Sequence, residues 1–148
     1  MEQVLGEGDY FASFDLTAAY NHVGIFPEHR NYLGFSYQFK GITRHFFYVQ
    51  LPFDLSSARH VFTKLNRPLV KLWPGMGIRA FINIDDGIGV FRSAENAPKL
   101  GPIMKAHLQP EGFLVNHKKS NWDPTPSLSR LRFSYDAISR VISVPEGT

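Results

Sequence analysis

The 148-residue chain has no cysteine. That excludes disulfides and any thiolate-held zinc site, and it leaves the redox compartment unreadable. No apolar run approaches the ~18 residues that a helical membrane span requires. Residues 1–8 are polar and acidic, so they do not read as a secretory signal, and an intracellular setting is expected. No internal repeat and no low-complexity linker interrupts the chain. The six histidines show no metal-ligand spacing, and His29 and His45 read as surface residues. Net charge is small as well, at +3, a mild basicity that suits a nucleic-acid partner without demanding one.

Apolar and aromatic side chains are plentiful. A 43% hydrophobic and 14% aromatic composition argues against disorder. Thirteen phenylalanines predict a core built on aromatic rings. The length is that of one domain.

Residues 9–16 read as a strand, and residues 17–24 as a short helical turn closed near Gly24 and Pro27. Residues 31–40 and 42–50 alternate around Lys40-Gly41, which predicts a hairpin. A helix is expected from Ser56-Ser57, with Ala58, Val61, Phe62, Leu65, Leu69 and Leu72 at helical spacing. Pro68 should kink or shorten it. Trp73-Pro74-Gly75-Met76-Gly77 reads as a loop, and residues 79–91 as a second hairpin. Residues 94–111 occupy a helix position, yet Pro98, Gly101, Pro102 and Pro110 predict a broken helix or two short turns. Residues 112–116 and 129–145 are expected to complete the sheet as short strands. The fold class predicted is α+β: an antiparallel sheet with helices packed on one face.

The second hairpin carries the most informative feature. Asp85 and Asp86 lie side by side between apolar, β-prone runs, and Asp85-Asp86-Gly87 predicts a tight turn there. Adjacent carboxylates repel, and a hard divalent cation would turn that cost into a binding site. A third carboxylate, Asp15, lies at the end of the strand Phe14-Asp15-Leu16. One Asp at a strand end and an Asp pair on a hairpin is the layout of a two-metal polymerase palm. An isolated Asp-Asp-Gly is more often a solvated turn than a metal site, and only the flanking sequence changes that balance. A calcium loop fits poorly, because the further alternating oxygen ligands are missing.

The flanking residues resemble the reverse transcriptases. Phe14-Asp15-Leu16-Thr17-Ala18-Ala19-Tyr20 is similar to their first catalytic motif, and Leu51-Pro52-Phe53-Asp54-Leu55-Ser56-Ser57-Ala58 to their Leu-Pro-Phe-Gly-Leu-Ser-Ser-Ala segment. Asn83-Ile84-Asp85-Asp86 stands where that family has Tyr-x-Asp-Asp. Gly112-Phe113, with Asn116, Lys118, Lys119 and Ser120, resembles a later motif, and Leu131-Arg132-Phe133 occupies the Leu-Gly-Phe position. The run Pro27-Glu28-His29-Arg30-Asn31-Tyr32-Leu33-Gly34-Phe35, with Val61-Phe62-Thr63-Lys64 and Val141-Ile142-Ser143-Val144-Pro145-Glu146, is most similar to retrotransposons that carry a tyrosine recombinase.

The resemblance implies one palm-like domain over residues 1–148 with partial fingers. Upstream fingers strands, thumb and ribonuclease H would be absent. It implies an RNA-directed DNA polymerase acting on an RNA or DNA template-primer and deoxynucleoside triphosphates, with other retroelement polymerase segments as further partners and no membrane. Asp15 and Asp85 would bridge two Mg²⁺ ions (or Mn²⁺), with Asp86 beside them and the Leu16 carbonyl as a further ligand. Tyr20 would pack under the sugar and exclude a 2′-hydroxyl; as a residue it reads equally as an ordinary core aromatic. Phe53 would line the nucleotide pocket. Lys119 would be the general acid for pyrophosphate; without the resemblance it reads as a solvated lysine beside Lys118. Arg44-His45-Phe46-Phe47-Tyr48 suits a template backbone, or simply a hairpin with one solvated face.

The pattern is also broken. Asn83 replaces a Tyr, Asp54 a Gly, Arg59 a Pro, Ala18 an Asp and Arg132 a Gly. Two readings therefore stand: a polymerase palm, as a fragment of a larger retroelement enzyme, or a catalytically inactive remnant that at most binds nucleic acid or a divalent ion.

Overall fold

Tyr10–Asp15 (β1) is a strand buried on both faces, with Phe11 and Phe14 almost wholly enclosed. It can be central because its neighbours on either side hydrogen-bond to it. A computed structural model describes residues 6, 8–53, 55–130 and 133–144. In it β1 lies between Asp86–Phe91 (β5) and Asn121–Thr125 (β6), while Ile78–Asn83 (β4) closes the other side of β5. The sheet order is β4-β5-β1-β6, antiparallel throughout.

Alternation along β1 sends Phe14 to one face and Phe11 to the other. The first face packs on two helices, Ala58–Leu72 (α1) and Ala97–Leu108 (α2), through Phe62, Leu69, Met104 and Leu108. The second face buries Phe11, Ile88 and Val90 with Ala137, Leu128 and Tyr135. These come from a separate sheet of Ser127–Arg130 (β7), Phe133–Asp136 (β8) and Val141–Ser143 (β9), and from the turn after β8. The helices thus share one face, as expected, and the other is covered by strands.

Two glycines in β5 explain how the first face closes. A Cβ on Gly87 would lie 2.0 Å from the tip of the Phe14 ring, and one on Gly89 would lie 2.6 Å from Met104 Sδ. Both strand positions must be bare for the ring and the thioether to enter. Phe14 then stacks on Trp122 at 5.7 Å and meets Trp73 edge-on at 6.5 Å.

The first hairpin is as expected. Gly34–Phe39 (β2) pairs with Ile42–Phe47 (β3), and Lys40 and Gly41 both take positive φ in the turn. Every residue of both strands is exposed. Phe35, Tyr37 and Phe39 pair across with Phe46, Arg44 and Ile42, so one face is almost entirely aromatic and aliphatic.

Several expectations fail for tertiary reasons. Residues 94–111 do not break: α2 runs unbroken from Ala97 to Leu108. Pro98 falls in the first turn, where its missing N–H has no partner to lose. Pro102 and Pro98 lie on the exposed side, where water can take the carbonyl that Pro102 leaves free. Gly101 is a contact rather than a breaker, since a Cβ there would lie 2.7 Å from the Trp122 carbonyl oxygen. Likewise α1 passes through Pro68, with Pro68 and Lys64 both exposed. Its buried stripe is Ala58, Phe62, Asn66 and Leu69, whereas Val61, Leu65 and Leu72 are exposed. Ser57 makes no side-chain cap; its carbonyl accepts from the Val61 N–H. Trp73–Met76 is a 3₁₀ turn that buries Trp73, not an open loop. Strand β6 falls where the sequence reading assigns no strand; it contains Pro124, which an edge strand tolerates. Residues 129–145 do not complete the main sheet, and residues 112–116 add only the bridge of Val115 to Leu16.

Gly101→Ala tests this account. Helix propensity alone favours Ala by ~1 kcal/mol. The Trp122 backbone cannot yield cheaply, so the variant is expected to lose roughly 1–3 kcal/mol in urea denaturation. A gain in stability would show that α2 does not press on β6 here.

Candidate functional site

The register of β4 and β5 pairs Asn83 with Asp86, so the turn contains only Ile84 and Asp85. Both carboxylates were expected in the turn, with Gly87 helping to form it. Instead Asp86 opens β5, and Gly87 sits within the strand beneath Phe14. The left-handed residue is Ile84, at φ 59°. A β-branched side chain there costs about 1–2 kcal/mol. The register repays that strain: a slip of one residue would put Asp86 on the helix face and close the space for Phe14.

The same register makes Asp15 the cross-strand partner of Asp86. The Leu16 N–H donates to the Asp85 carbonyl at 2.7 Å, which fixes the turn against the end of β1. Asp15 is therefore gathered with the adjacent pair Asp85 and Asp86, far from it in sequence, at one end of the sheet. Asp15 is buried, at 8% exposure. It lies on the face of Phe11 and Ser13, away from the helices.

A turn over residues 116–120 is stapled to this end. The Asn116 N–H donates to the Asp15 carbonyl at 2.8 Å, and the Asp15 N–H to Ser120 Oγ at 3.0 Å. Ser120 Oγ in turn donates to the Asn116 carbonyl at 2.7 Å. Lys119 is held beside the acids, close enough for its charge to act on Asp86. Arg130, at the end of β7, reaches Asp86 Oδ1 from the second sheet at 3.3 Å and also donates to the Lys119 carbonyl.

Burial pushes the Asp86 carboxyl above its ordinary value, and the charges of Asp85 and Asp15 push it further; Arg130 and Lys119 pull against them. The acids thus outweigh their counter-ions. That excess, on hard oxygen donors, fits a divalent cation. The side chains as placed form no closed cage: among the described residues no three Asp, Glu, His or Cys side chains converge to hold an ion.

Beside the acids is a shallow cleft of about 190 Å³, lined by Ala18, Ala19, Tyr20, Asn21, Phe53, Ile84 and Asp85. Tyr20 is a core aromatic, as its residue type predicted, and it also lines the cleft. It is buried against Phe62, edge-on at 5.6 Å, and Phe53 lies 5.8 Å away. Phe53 is 79% exposed and so offers an open ring. Asp15, Leu16, Tyr20, Phe53, Asp85, Asp86 and Lys119 are thus gathered in one region.

Sequence reasoning missed Arg130, which no local pattern marks, because it comes from a different sheet. It also treated Arg59 and Asn83 as separate departures, whereas Arg59 Nη2 donates to Asn83 Oδ1 at 2.9 Å. Asp54, Leu131, Arg132, Pro145 and Glu146 lie outside the described residues.

No protein-family profile matches the chain, and no curated protein matches it. Solved structures do. The foamy viral protease-reverse transcriptase in complex with an RNA/DNA hybrid aligns at TM-score 0.74 and 20% identity, over 96% of this chain and 18% of that one. The same protein in complex with double-stranded DNA aligns at TM-score 0.70 and 20% identity, over 93% and 26%. The native prototype foamy virus protein aligns at 0.68 and 18%, over 99% and 18%. The chain has a reverse-transcriptase fold. It spans about a quarter or less of the reverse-transcriptase chains it matches.

The raised Asp86 value gives a signed expectation. A carboxyl harder to ionise when folded contributes its full stability below its ordinary value, and loses it as pH rises through the raised one. Asp86→Asn is therefore expected to melt roughly 1–4 °C above the parent at pH 7 in metal-free buffer. The difference should close as the pH falls toward about 4. Loss of the half-exposed Arg130 ion pair is too small to reverse the sign. Calorimetry showing a lower midpoint at pH 7 would contradict the charge excess.

Proposed function

We propose that this chain is the nucleotidyl-transfer segment, a palm-like domain, of an RNA-directed DNA polymerase from a retroelement. The observation that carries the reading is the gathering of Asp15, Asp85 and Asp86 at one sheet end, beside an aromatic cleft, on a reverse-transcriptase fold. The motif residues at positions 27–35, 61–64 and 141–146 favour a retrotransposon of the tyrosine-recombinase type.

Asp15, Asp85 and Asp86, with the Leu16 carbonyl, would hold two Mg²⁺ ions, or Mn²⁺. Such ions, when bound, neutralise a triphosphate and lower the pKa of a primer hydroxyl. The chain's own residues do the rest. Phe53 offers a ring to the incoming base, and Tyr20 forms a floor that excludes a 2′-hydroxyl, so deoxynucleotides are selected. Lys119 delivers a proton to the leaving pyrophosphate. The 116–120 turn keeps that lysine beside the acids through its hydrogen bonds to β1.

A template-primer is the proposed partner. The neighbouring viral proteins hold an RNA/DNA hybrid and double-stranded DNA. In this chain the first hairpin adds exposed rings with Lys40 and Arg44 and no acid between residues 34 and 48, a composition suited to a polyanion with stacking bases. Other polymerase segments would complete the enzyme. No helix among the described residues is long and apolar enough to cross a membrane.

A second reading, an inactive remnant, is favoured by two observations. Arg130 occupies Asp86, and Arg59 ties up Asn83 where the resembled family has a Tyr. Extension of an oligo(dT) primer on poly(rA) with Mg²⁺ or Mn²⁺ separates the two. The isolated chain is expected to extend weakly or not at all, since most of the rate in phosphoryl transfer comes from positioning and electrostatics. Joined to an upstream fingers segment and carrying Asp54→Gly with Asn83→Tyr, it is expected to extend. Asp85→Ala in that background should then lose roughly 10²-fold or more. Extension insensitive to Asp85→Ala would overturn the site assignment. No extension by the completed chain would favour the remnant.

A further inference from the structure

We propose that His22 is an acid-sensitive bolt between the turn that lines the cleft and the run 113–116 that leads to Lys119. After β1 the chain bends at Ala18, whose φ is 49°, into a 3₁₀ turn, Ala19–His22. Ala19, Tyr20 and Asn21 line the cleft, and His22 ends the turn against residues 113 and 114. Backbone bonds already join the run to β1 and its exit. The Thr17 N–H donates to the Leu114 carbonyl at 2.8 Å, and the Asn116 N–H to the Asp15 carbonyl at 2.8 Å. His22 adds a side-chain fastening: the Leu114 N–H donates to its Nε2 at 3.2 Å.

This bond fixes the state of the ring. A backbone amide can only donate, so Nε2 must accept, and the neutral ring carries its hydrogen on Nδ1. Nδ1 is closed off from water beside the Ala19 backbone and makes no full hydrogen bond. Phe113 meets the ring edge-on at 5.6 Å and is itself packed against Phe62 at 5.9 Å, so the ring is wedged. A second proton must therefore go to Nε2, where it sets two donors face to face. Either the Leu114 N–H loses its partner or the ring swings away from Phe113. The groups facing the ring are the Ala19 backbone, the Phe113 ring and the Leu114 amide, none of which titrates, and no carboxylate offsets the added charge. Burial accordingly pushes the His22 imidazole below its ordinary value, and the Ala19 backbone pulls only partly against it. A base harder to protonate when folded contributes stability that is complete above its ordinary value of about 6.5, and loses it as pH falls through the lowered one. The bond lies at the surface, so a proton reaches Nε2 without the core opening. Acid thus loosens residues 113 and 114 from the cleft turn while the backbone bonds at Thr17 and Asn116 hold.

Amide hydrogen exchange of the full chain, read residue by residue by NMR, tests this. After correction for the intrinsic exchange rate, the Leu114 amide is expected to lose protection about three- to tenfold between about pH 7.5 and 5.5, in step with titration of the His22 ring. The Thr17 and Asn116 amides should keep theirs. His22→Gln places a carbonyl oxygen near the position of Nε2 that accepts at every pH, and it should abolish the fall. The ring resonances of the unmodified chain give a check that needs no variant: His22 should titrate at lower pH than a free imidazole. Level Leu114 protection across the titration of the ring, or the same fall in His22→Gln, would overturn the bolt. So would a ring that titrates no lower than a free imidazole, or one still neutral when the whole protein unfolds.

Discussion

The contact on which the rest depends is the Phe14 ring lying over the bare backbone of Gly87. It joins the central strand to its neighbour in the observed register, because the other bare position on that face of β5, Gly89, is already filled by Met104. Strand alternation then follows without further choice. Phe14 faces the helices, Asp15 faces away, and Asp86 falls opposite Asp15. The trade is a β-branched residue in a left-handed turn at Ile84, a local strain of about 1–2 kcal/mol. An aromatic core that stacks Phe14 on Trp122 and sets it edge-on to Trp73 outweighs it.

What the register concentrates, the rest of the molecule must manage. Like charges at one sheet end are tolerated because hydrogen bonds to backbone, not to the acids themselves, hold the surrounding chain. Asn116 and Ser120 grip the backbone of Asp15, and Leu16 grips that of Asp85. The carboxylates face charge partners from other segments, Arg130 and Lys119. Arg59 and Asn83, two departures from the pattern the sequence resembles, satisfy one another at 2.9 Å.

The first hairpin stands apart from this core. Its aromatic face is exposed although its turn and its pairing are regular. Two strands alone are marginal in water, so Phe35, which stacks on Phe46 at 5.5 Å and meets Tyr48 at 4.9 Å, supplies much of its local cohesion.

Local chemistry was legible from the sequence. The Lys40-Gly41 turn, the strand at β1 and the Asp pair were all readable, because each rests on the preferences of adjacent residues. The site residues could be named through motif resemblance, yet not placed. Proline and glycine misled wherever their local preference was overruled: Pro98 by a first turn, Pro68 and Pro102 by open solvent, Gly101 by the carbonyl of Trp122, and Gly87 by the ring of Phe14. By itself, then, the sequence determined which side chains were available and where the chain would turn. Only the tertiary structure decided that Asp86 faces Asp15 and that Arg130 reaches it from another sheet. Register and long-range charge pairing are set by volume and distance between segments, and neither has any signature in the residues on either side.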